Sequence, residues 1–346
     1  AEMKRAGGGV CNSTAIGLQK RIEKYLKNIA PGILGVRNME SLEIHKMTPG
    51  SYNLNFHISV ETKDFIFRVN IDQQSGLSRQ VQYEYDTLKF LQGHGLAPDV
   101  YHLDDTRQYF EFDILIEQYL EGPYLLLEKS YLPQVAASLA KLHSLDHHGV
   151  NFISWPDPLK DTYEFVQNDI AHYKTRKTAE EKIITQSERT LEEIGLRISK
   201  SDLPFQADSL NHTDVGCDNF IRTAEGLRMI DWEKPRVDDC SYDLSCFLSE
   251  PAELWCSPHV LNAAEREAFI EEYARIRGKS AELLRKKIRI REPMVSLHWI
   301  LWGATKLCDL REERTSPELL GSHEEKIFRY ERIARVENIE KLMDSL

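Results

Sequence analysis

His212-Thr213-Asp214-Val215-Gly216-Cys217-Asp218-Asn219, followed by Met229-Ile230-Asp231-Trp232-Glu233, is the stretch on which the reading of this chain turns. Asp214 and Asn219 stand five residues apart, and Asp231 lies in an apolar run beyond the turn residues Thr223-Ala224-Glu225-Gly226. That spacing predicts a catalytic loop, a short hairpin and a metal-holding acid. Phosphoryl transfer from a nucleotide needs this set: one carboxylate to orient or deprotonate the acceptor hydroxyl, and hard oxygen ligands to hold Mg²⁺ against the phosphates. The H-x-D-x-x-x-x-N pattern gains its specificity from the acid placed behind it.

The rest of the chain suits such chemistry. At 346 residues it can bury a large core and form more than one structural unit. A hydrophobic content of 41% with 29% charged residues is ordinary for a globular protein and argues against wholesale disorder. The net charge of −11, with no long Lys/Arg block, argues against a nucleic-acid binder. No apolar run is long enough to span a bilayer. The N-terminal Ala1-Glu-Met-Lys-Arg-Ala-Gly-Gly-Gly9 lacks the apolar core of a signal peptide and reads as a mobile tail. The six cysteines, Cys11, Cys217, Cys240, Cys246, Cys256 and Cys308, form neither a CxxC pair nor a compact framework. They read as reduced thiols of a cytoplasmic protein, Cys217 filling space in the loop.

Hydrophobic periodicity divides the chain. Residues 15–29 predict an amphipathic helix. Ser41–Met47, Tyr52–Val60 and Asp64–Asn70 predict strands, Gln80–Gln92 a helix, and Asp99–Leu103 and Phe112–Tyr119 two further strands. Beyond Glu121-Gly122-Pro123 the pattern is mainly helical, with stripes over Tyr131–Asp146, Lys160–Lys174 and Thr178–Leu196 and over residues 259–278, 280–290, 293–311 and 323–345. The expectation is an α+β, two-lobed fold. A tail and leading helix (1–30) precede a small sheet lobe (31–121) and a larger helical lobe (122–346), with the nucleotide in the cleft between the lobes.

In the small lobe, Pro49-Gly50-Ser51-Tyr52-Asn53 stands where a strand–turn–strand would cover phosphates, its small residues letting backbone N–H groups approach. Arg68, a lone cation in the apolar strand Phe65-Ile-Phe-Arg-Val69, must reach solvent or meet an anion, and Glu84 on the next helix is its natural partner. Glu117-Gln-Tyr119-Leu-Glu-Gly122 has the place of a hinge whose backbone would pair with a nucleobase edge.

The segments Gly50–Asn53, Arg68, Glu84-x-x-x-Leu88, Ile116–Gly122, Leu139-Ala-Lys-Leu-His143, His212–Asn219, Ile230–Glu233 and Tyr242-Asp243-Leu244 together resemble the aminoglycoside phosphotransferase/choline kinase family, which shares the protein-kinase-like fold. The resemblance runs from about Ile44 to the C-terminal helices. It implies Asp214 as catalytic base, Asn219 and Asp231 as Mg²⁺ ligands, and Arg68 as phosphate-binding cation. His212 would orient the loop and Asp243 brace it. ATP, with GTP open, would be the donor. Arg68 replaces the Lys of many relatives, and Val215-Gly216-Cys217 departs from the usual loop filler, so the acceptor is not implied.

For the acceptor, Trp299 and Trp302 lie three residues apart on one helix face, similar to a pair that lines a quaternary-ammonium pocket in the choline/ethanolamine branch. The plainer reading of the same pair is as core residues of an amphipathic helix. Glu250 follows Asp231 at a spacing like that branch, whereas Lys234 stands where the branch tends to place an aromatic. Asp208, Asp218, Asp238, Asp239, Glu250 and Asp309 could line a cationic site. The expectation is a small, cationic acceptor, with a neutral or zwitterionic metabolite as the alternative. Intact Asp214, Asn219, Asp231 and Arg68 argue against a pseudokinase. The missing Gly-x-Gly-x-x-Gly loop argues against a protein kinase.

Overall fold

The computed structural model describes residues 13–29, 32–73, 76–257 and 260–346, so the N-terminal tail and Cys11 lie outside the described residues. Two compact units emerge. One holds the chain up to Gly93 with residues 98–119 and 315–325; the other holds residues 94–97, 120–314 and 326–346.

Unit 1 opens with helix α1 (Ser13–Ile29). Strands β1 (Glu43–Lys46), β2 (Asn53–Val60) and β3 (Lys63–Asn70), helix α2 (Gln80–Leu91), and strands β4 (Val100–Asp104) and β5 (Asp113–Gln118) follow. The five strands form an antiparallel sheet in the order β1-β2-β3-β5-β4. Alternation sets its faces. Leu54, Phe56, Ile58 and Val60 of β2 and Phe65, Phe67 and Val69 of β3 join Ile22, Tyr25 and Leu26 of α1 in one buried core. The opposite face of β3 carries Arg68, which is also buried. A cation on a buried strand face needs an anion within reach, and that requirement ties β3 to α2 and β5.

Unit 2 contains helices α3 (Leu132–Leu142), α4 (Pro158–Lys174) and α5 (Glu181–Ile198). Strands β6 (Ser209–Asn211), β7 (Phe220–Thr223), β8 (Gly226–Met229) and β9 (Arg236–Asp238) form two small ladders, β6 with β9 and β7 with β8. Helices α6 (Ser241–Leu248), α7 (Glu250–Cys256), α8 (Ala263–Arg277), α9 (Ala281–Arg311), α10 (Leu320–Ile333) and α11 (Val336–Ser345) complete the chain.

Helical boundaries differ in several places from those the periodicity predicts, most at three of them. The break expected between residues 290 and 293 is absent, and α9 runs through Pro293 for 31 residues. An interior proline costs about 3 kcal/mol. Beyond it, Met294, Leu297, Ile300 and Leu301 are buried against α4 and α5, and each such side chain contributes about 1.5–3 kcal/mol. Packing therefore outweighs the break. The segment 323–345 is two helices, parted at residues 334–335, where Asn338 Nδ2 donates to the carbonyls of Arg332 (3.1 Å) and Ile333 (2.9 Å). The predicted start at 259 shifts to Ala263, because Asn262 and Glu265 form a reciprocal capping box. Pro258 and His259 lie outside the described residues.

Candidate active site

The loop between β6 and β7 is held by one buried carboxylate. Asp243, at the start of α6, accepts the backbone N–H of His212 and that of Thr213, each at 2.8 Å. Thr213 has φ +75°, a left-handed conformation that a β-branched residue rarely adopts. His143 Nε2 also donates to Asp243, at 3.1 Å, and its Nδ1 meets the Tyr273 hydroxyl at 2.7 Å. Burial alone would push the Asp243 carboxyl up, but His143, His212 and the backbone N–H groups hold it below the usual carboxylate range.

The His212 ring spans the site. Its Nδ1 accepts the Asp214 N–H at 3.3 Å, so its Nε2 carries the proton and donates to the Ile230 carbonyl at 2.9 Å. Asp214 and Asp231 are thereby fixed from opposite ends of one imidazole. The Ile230 N–H donates to the Asn219 carbonyl at 3.0 Å, which brings the third side chain alongside. Asp214, Asp231 and Asn219 are all partly exposed, as groups that meet a substrate must be.

The donor set suits Mg²⁺. Asn219 Nδ2 donates to the Asp214 carbonyl at 2.8 Å, which orients the amide and reserves its oxygen for a ligand. Asp231 adds a carboxylate at φ +67°, a backbone form that turns it out of the strand direction. Among the described residues no group of three His, Cys, Asp or Glu side chains could hold a metal. Mg²⁺ does not require one, since it commonly takes one or two protein oxygens with phosphates and water.

In unit 1, Arg68 donates to Glu84 (2.5 Å) and to Glu117 (2.9 Å), all three side chains being buried. The Glu84 pair is the one the sequence predicts. Glu117 lies within β5, opposite Ile66 and Val100, and its side chain serves Arg68. The Tyr119 N–H donates to the Asp64 carbonyl at 3.2 Å, so it is already engaged within the unit. Gly50 closes a turn by donating to the Asn53 carbonyl at 2.9 Å. Asn53, expected among the phosphate-covering residues, is buried and accepts from Asn70 Nδ2 at 2.9 Å.

Beside the loop between β6 and β7 stands an aromatic group. Trp299 packs edge-on to Trp302 (5.7 Å between ring centres), and Trp302 meets Trp255 at 5.1 Å and Tyr330 at 5.4 Å. Gly216 admits this approach: a Cβ there would lie 2.9 Å from Asp218 Oδ1 and 3.8 Å from the Trp299 ring. Trp255 Nε1 donates to Asp218 Oδ2 at 2.6 Å. Burial raises the Asp218 carboxyl, and the charge of Asp214 adds to that. Trp255 and Tyr330 carry no sequence signal of this role, because they come from α7 and α10 and meet Trp302 only through the fold.

Residues 43–283 match the sequence model of the phosphotransferase enzyme family, APH. The chain belongs to that family. No curated protein matches it in sequence. Solved structures match in fold. An ethanolamine kinase of Plasmodium vivax is 15% identical with TM-score 0.65, covering 97% of this chain and 91% of that one. A choline kinase of Cryptosporidium parvum Iowa II is 14% identical with TM-score 0.66, covering 94% and 96%. The aminoglycoside phosphotransferase APH(4)-Ia is 14% identical with TM-score 0.62, covering 94% and 99%. The two-lobed, kinase-like α+β fold is thus shown, as is a phosphotransferase acting on an alcohol group.

Two findings bear on the expectations for this phosphotransferase. Most of the acids considered for a cationic site are engaged elsewhere. Asp208 faces Lys279 (3.8 Å), Asp238 pairs with Arg291 (2.7 Å), Asp239 with Lys287 (2.6 Å), Glu250 with Lys341 (2.7 Å) and Asp309 with Arg176 (2.6 Å). Asp218 alone among those six sits on the loop between β6 and β7. Secondly, Cys217 and Cys256 form a disulfide between that loop and α7, where reduced thiols were expected. Their separation of 39 residues gives no sequence cue. Cys240, Cys246 and Cys308 are free and buried, and burial pushes the Cys246 thiol up to about 12.

Proposed function

We propose that this protein is a Mg²⁺-dependent, ATP-using kinase of a small amino-alcohol. The observation that carries the reading is the His212 ring, which holds Asp214 through its backbone N–H and Asp231 through the neighbouring Ile230 carbonyl. Asp214 receives the acceptor hydroxyl and takes its proton. Asn219 and Asp231 hold the metal, which when bound neutralises charge on the phosphates. Arg68, steadied by Glu84 and Glu117, binds nucleotide phosphate, and the Gly50-Ser51 backbone covers it. The base meets backbone of the Glu117–Gly122 segment.

The acceptor takes its place near Asp218, Trp299 and Trp302. The likeness in fold to an ethanolamine kinase and a choline kinase favours an amino-alcohol. An ammonium leaving water needs aromatic faces or a carboxylate in exchange, and these residues offer both. We assign Glu250 no acceptor role. A cytoplasmic location is proposed on the three free thiols, against which the Cys217–Cys256 bond counts, and cell fractionation decides it.

The test is ADP release with Mg·ATP and a panel of amino-alcohols, aminoglycosides, neutral sugars and hydroxyl-bearing peptides. Turnover confined to amino-alcohols supports the reading. Turnover on sugars or peptides alone overturns it.

A further inference from the structure

The loop between β6 and β7 is gripped from α7 at two consecutive residues. Cys217 is bonded to Cys256, the last residue of that helix, and the Cys217 N–H also donates to Cys256 Sγ at 3.0 Å. Asp218, the next residue of the loop, accepts the Trp255 N–H at 2.6 Å. Together these anchors fix the start of a single 3₁₀ turn, Cys217–Asn219, which the Asn219 N–H closes by donating to the Gly216 carbonyl at 3.0 Å.

Asn219 ends that turn and passes its position on to both sides of the site. Its Nδ2 donates to the Asp214 carbonyl at 2.8 Å, and its carbonyl accepts the N–H of Ile230, the residue before Asp231, at 3.0 Å. The turn has little slack, since even a Cβ on Gly216 would stand 2.9 Å from Asp218 Oδ1. Two sulfurs that are no longer bonded must part to ordinary contact distance. Breaking the Cys217–Cys256 bond therefore shifts the turn or the end of α7, and either shift reaches Asn219. The other described cysteines, Cys240, Cys246 and Cys308, are free and buried, so the bonded pair is confined to this loop. Cys217 is buried but Cys256 is partly exposed, which opens one sulfur of the bond to a thiol from solvent.

We propose that Cys217 and Cys256 are positioning residues joined by a reversible bond, whose reduction loosens the turn that carries Asn219 and weakens the hold on Mg·ATP. This rests on the reading of Asn219 and Asp231 as metal ligands. A small-molecule thiol of the glutathione class carries out the exchange. Its thiolate attacks Cys256 Sγ, a mixed disulfide forms, and Cys217 leaves as thiolate. A second glutathione thiolate attacks the glutathione sulfur of that mixed disulfide, so Cys256 leaves as thiolate and oxidised glutathione departs. Two electrons pass from two glutathione molecules to the bond, and the protons they give up are taken by the two cysteines.

The test compares the full chain treated with oxidised glutathione and with excess reduced glutathione, with peptide mass spectrometry following Cys217 and Cys256. Reduction should raise the Kd for Mg·ATP at least about fivefold, a common size for coupling between sites. In the nucleotide-free protein it should also quicken hydrogen exchange over residues 214–219. Linkage requires the reciprocal effect: saturating Mg·ATP should disfavour reduction in a glutathione mixture by the same factor. Cys256→Ser should bind Mg·ATP like the reduced protein in either medium, and the comparison of the two wild-type forms stands if that variant does not fold. A melting temperature that falls on reduction with an unchanged Mg·ATP Kd makes the bond a staple of the fold and overturns the proposal. Tighter binding on reduction, or a redox response that persists in Cys256→Ser, overturns it too. In each of these cases the oxidised protein still binds Mg·ATP, and the kinase reading stands. If neither form binds Mg·ATP, that reading falls and this inference with it.

Discussion

Asp243 holds Thr213 in a left-handed conformation: its Oδ1 accepts the Thr213 N–H at 2.8 Å, where φ is +75°. Such a backbone costs on the order of 1–3 kcal/mol and persists only when its surroundings impose it. Here the imposing group is a carboxylate with no solvent access, itself held by His143. The loop between β6 and β7 is thus shaped from α6 rather than by its own residues.

Asp243→Ala should therefore lower both stability and turnover. Loss of a buried charged acceptor serving two N–H groups and His143 is expected to cost about 3–5 kcal/mol. Because the native carboxyl lies below its unfolded value of about 3.9, its contribution is complete above that pH and is lost as pH falls through the native value. Thermal unfolding from pH 3 to 7 checks this. An Asp243→Ala protein with wild-type melting and kcat would refute the bracing role.

Asp214→Asn should cut kcat by about 10²–10⁴-fold while leaving nucleotide affinity largely intact. The amide keeps the shape of the side chain and removes only its capacity to accept a proton. Calorimetric nucleotide binding beside steady-state kinetics separates the two effects. Near-normal kcat would remove Asp214 from the chemistry.

Asp231→Ala should behave differently, weakening Mg·ATP binding together with turnover. Asn219→Ala should show a milder form, since a neutral amide contributes less to a divalent ion. In Asn219→Ala the link from Nδ2 to the Asp214 carbonyl is also lost, so part of its defect should be in kcat alone. Undiminished Mg·ATP affinity in Asp231→Ala would displace the metal site from these residues.

Arg68→Met should destabilise unit 1 by about 3–5 kcal/mol, because Glu84 and Glu117 would be left buried without their cation. Adding Glu84→Gln and Glu117→Gln should restore much of the stability but not nucleotide binding. Chemical unfolding of the single and triple variants checks it. If the single variant were as stable as wild type, the buried pairing would be of no energetic consequence.

Glu253, on α7, has the opposite pH signature to Asp243. Burial raises its carboxyl to about 8, with the Leu261 N–H and Arg266 only partly offsetting it. Between about 4.5 and 8 the folded state holds a proton that the unfolded chain releases, so stability falls as pH rises through that window. Glu253→Gln should flatten that fall and melt higher than wild type at pH 8. A wild-type melting temperature that is constant from pH 5 to 8 would contradict it.

The chain itself announces whatever is written in short spacings. Asp214 and Asn219 precede, and Asp231 follows, one short hairpin, so few residues intervene and their adjacency is nearly forced by a loop and a turn. The alternation of Phe65, Phe67 and Val69 likewise exposes β3 and isolates Arg68 on its opposite face. Tertiary structure alone decided what depends on pairs far apart in sequence. It joined Cys217 to Cys256, Arg291 to Asp238, and Trp255 to Tyr330. It also carried α9 through Pro293, where burial of Met294, Leu297 and Leu301 exceeds the local cost of the proline. Local propensity acts over one turn or one strand, whereas these pairings follow from which surfaces the packed helices bring together. No periodicity in the chain records that choice.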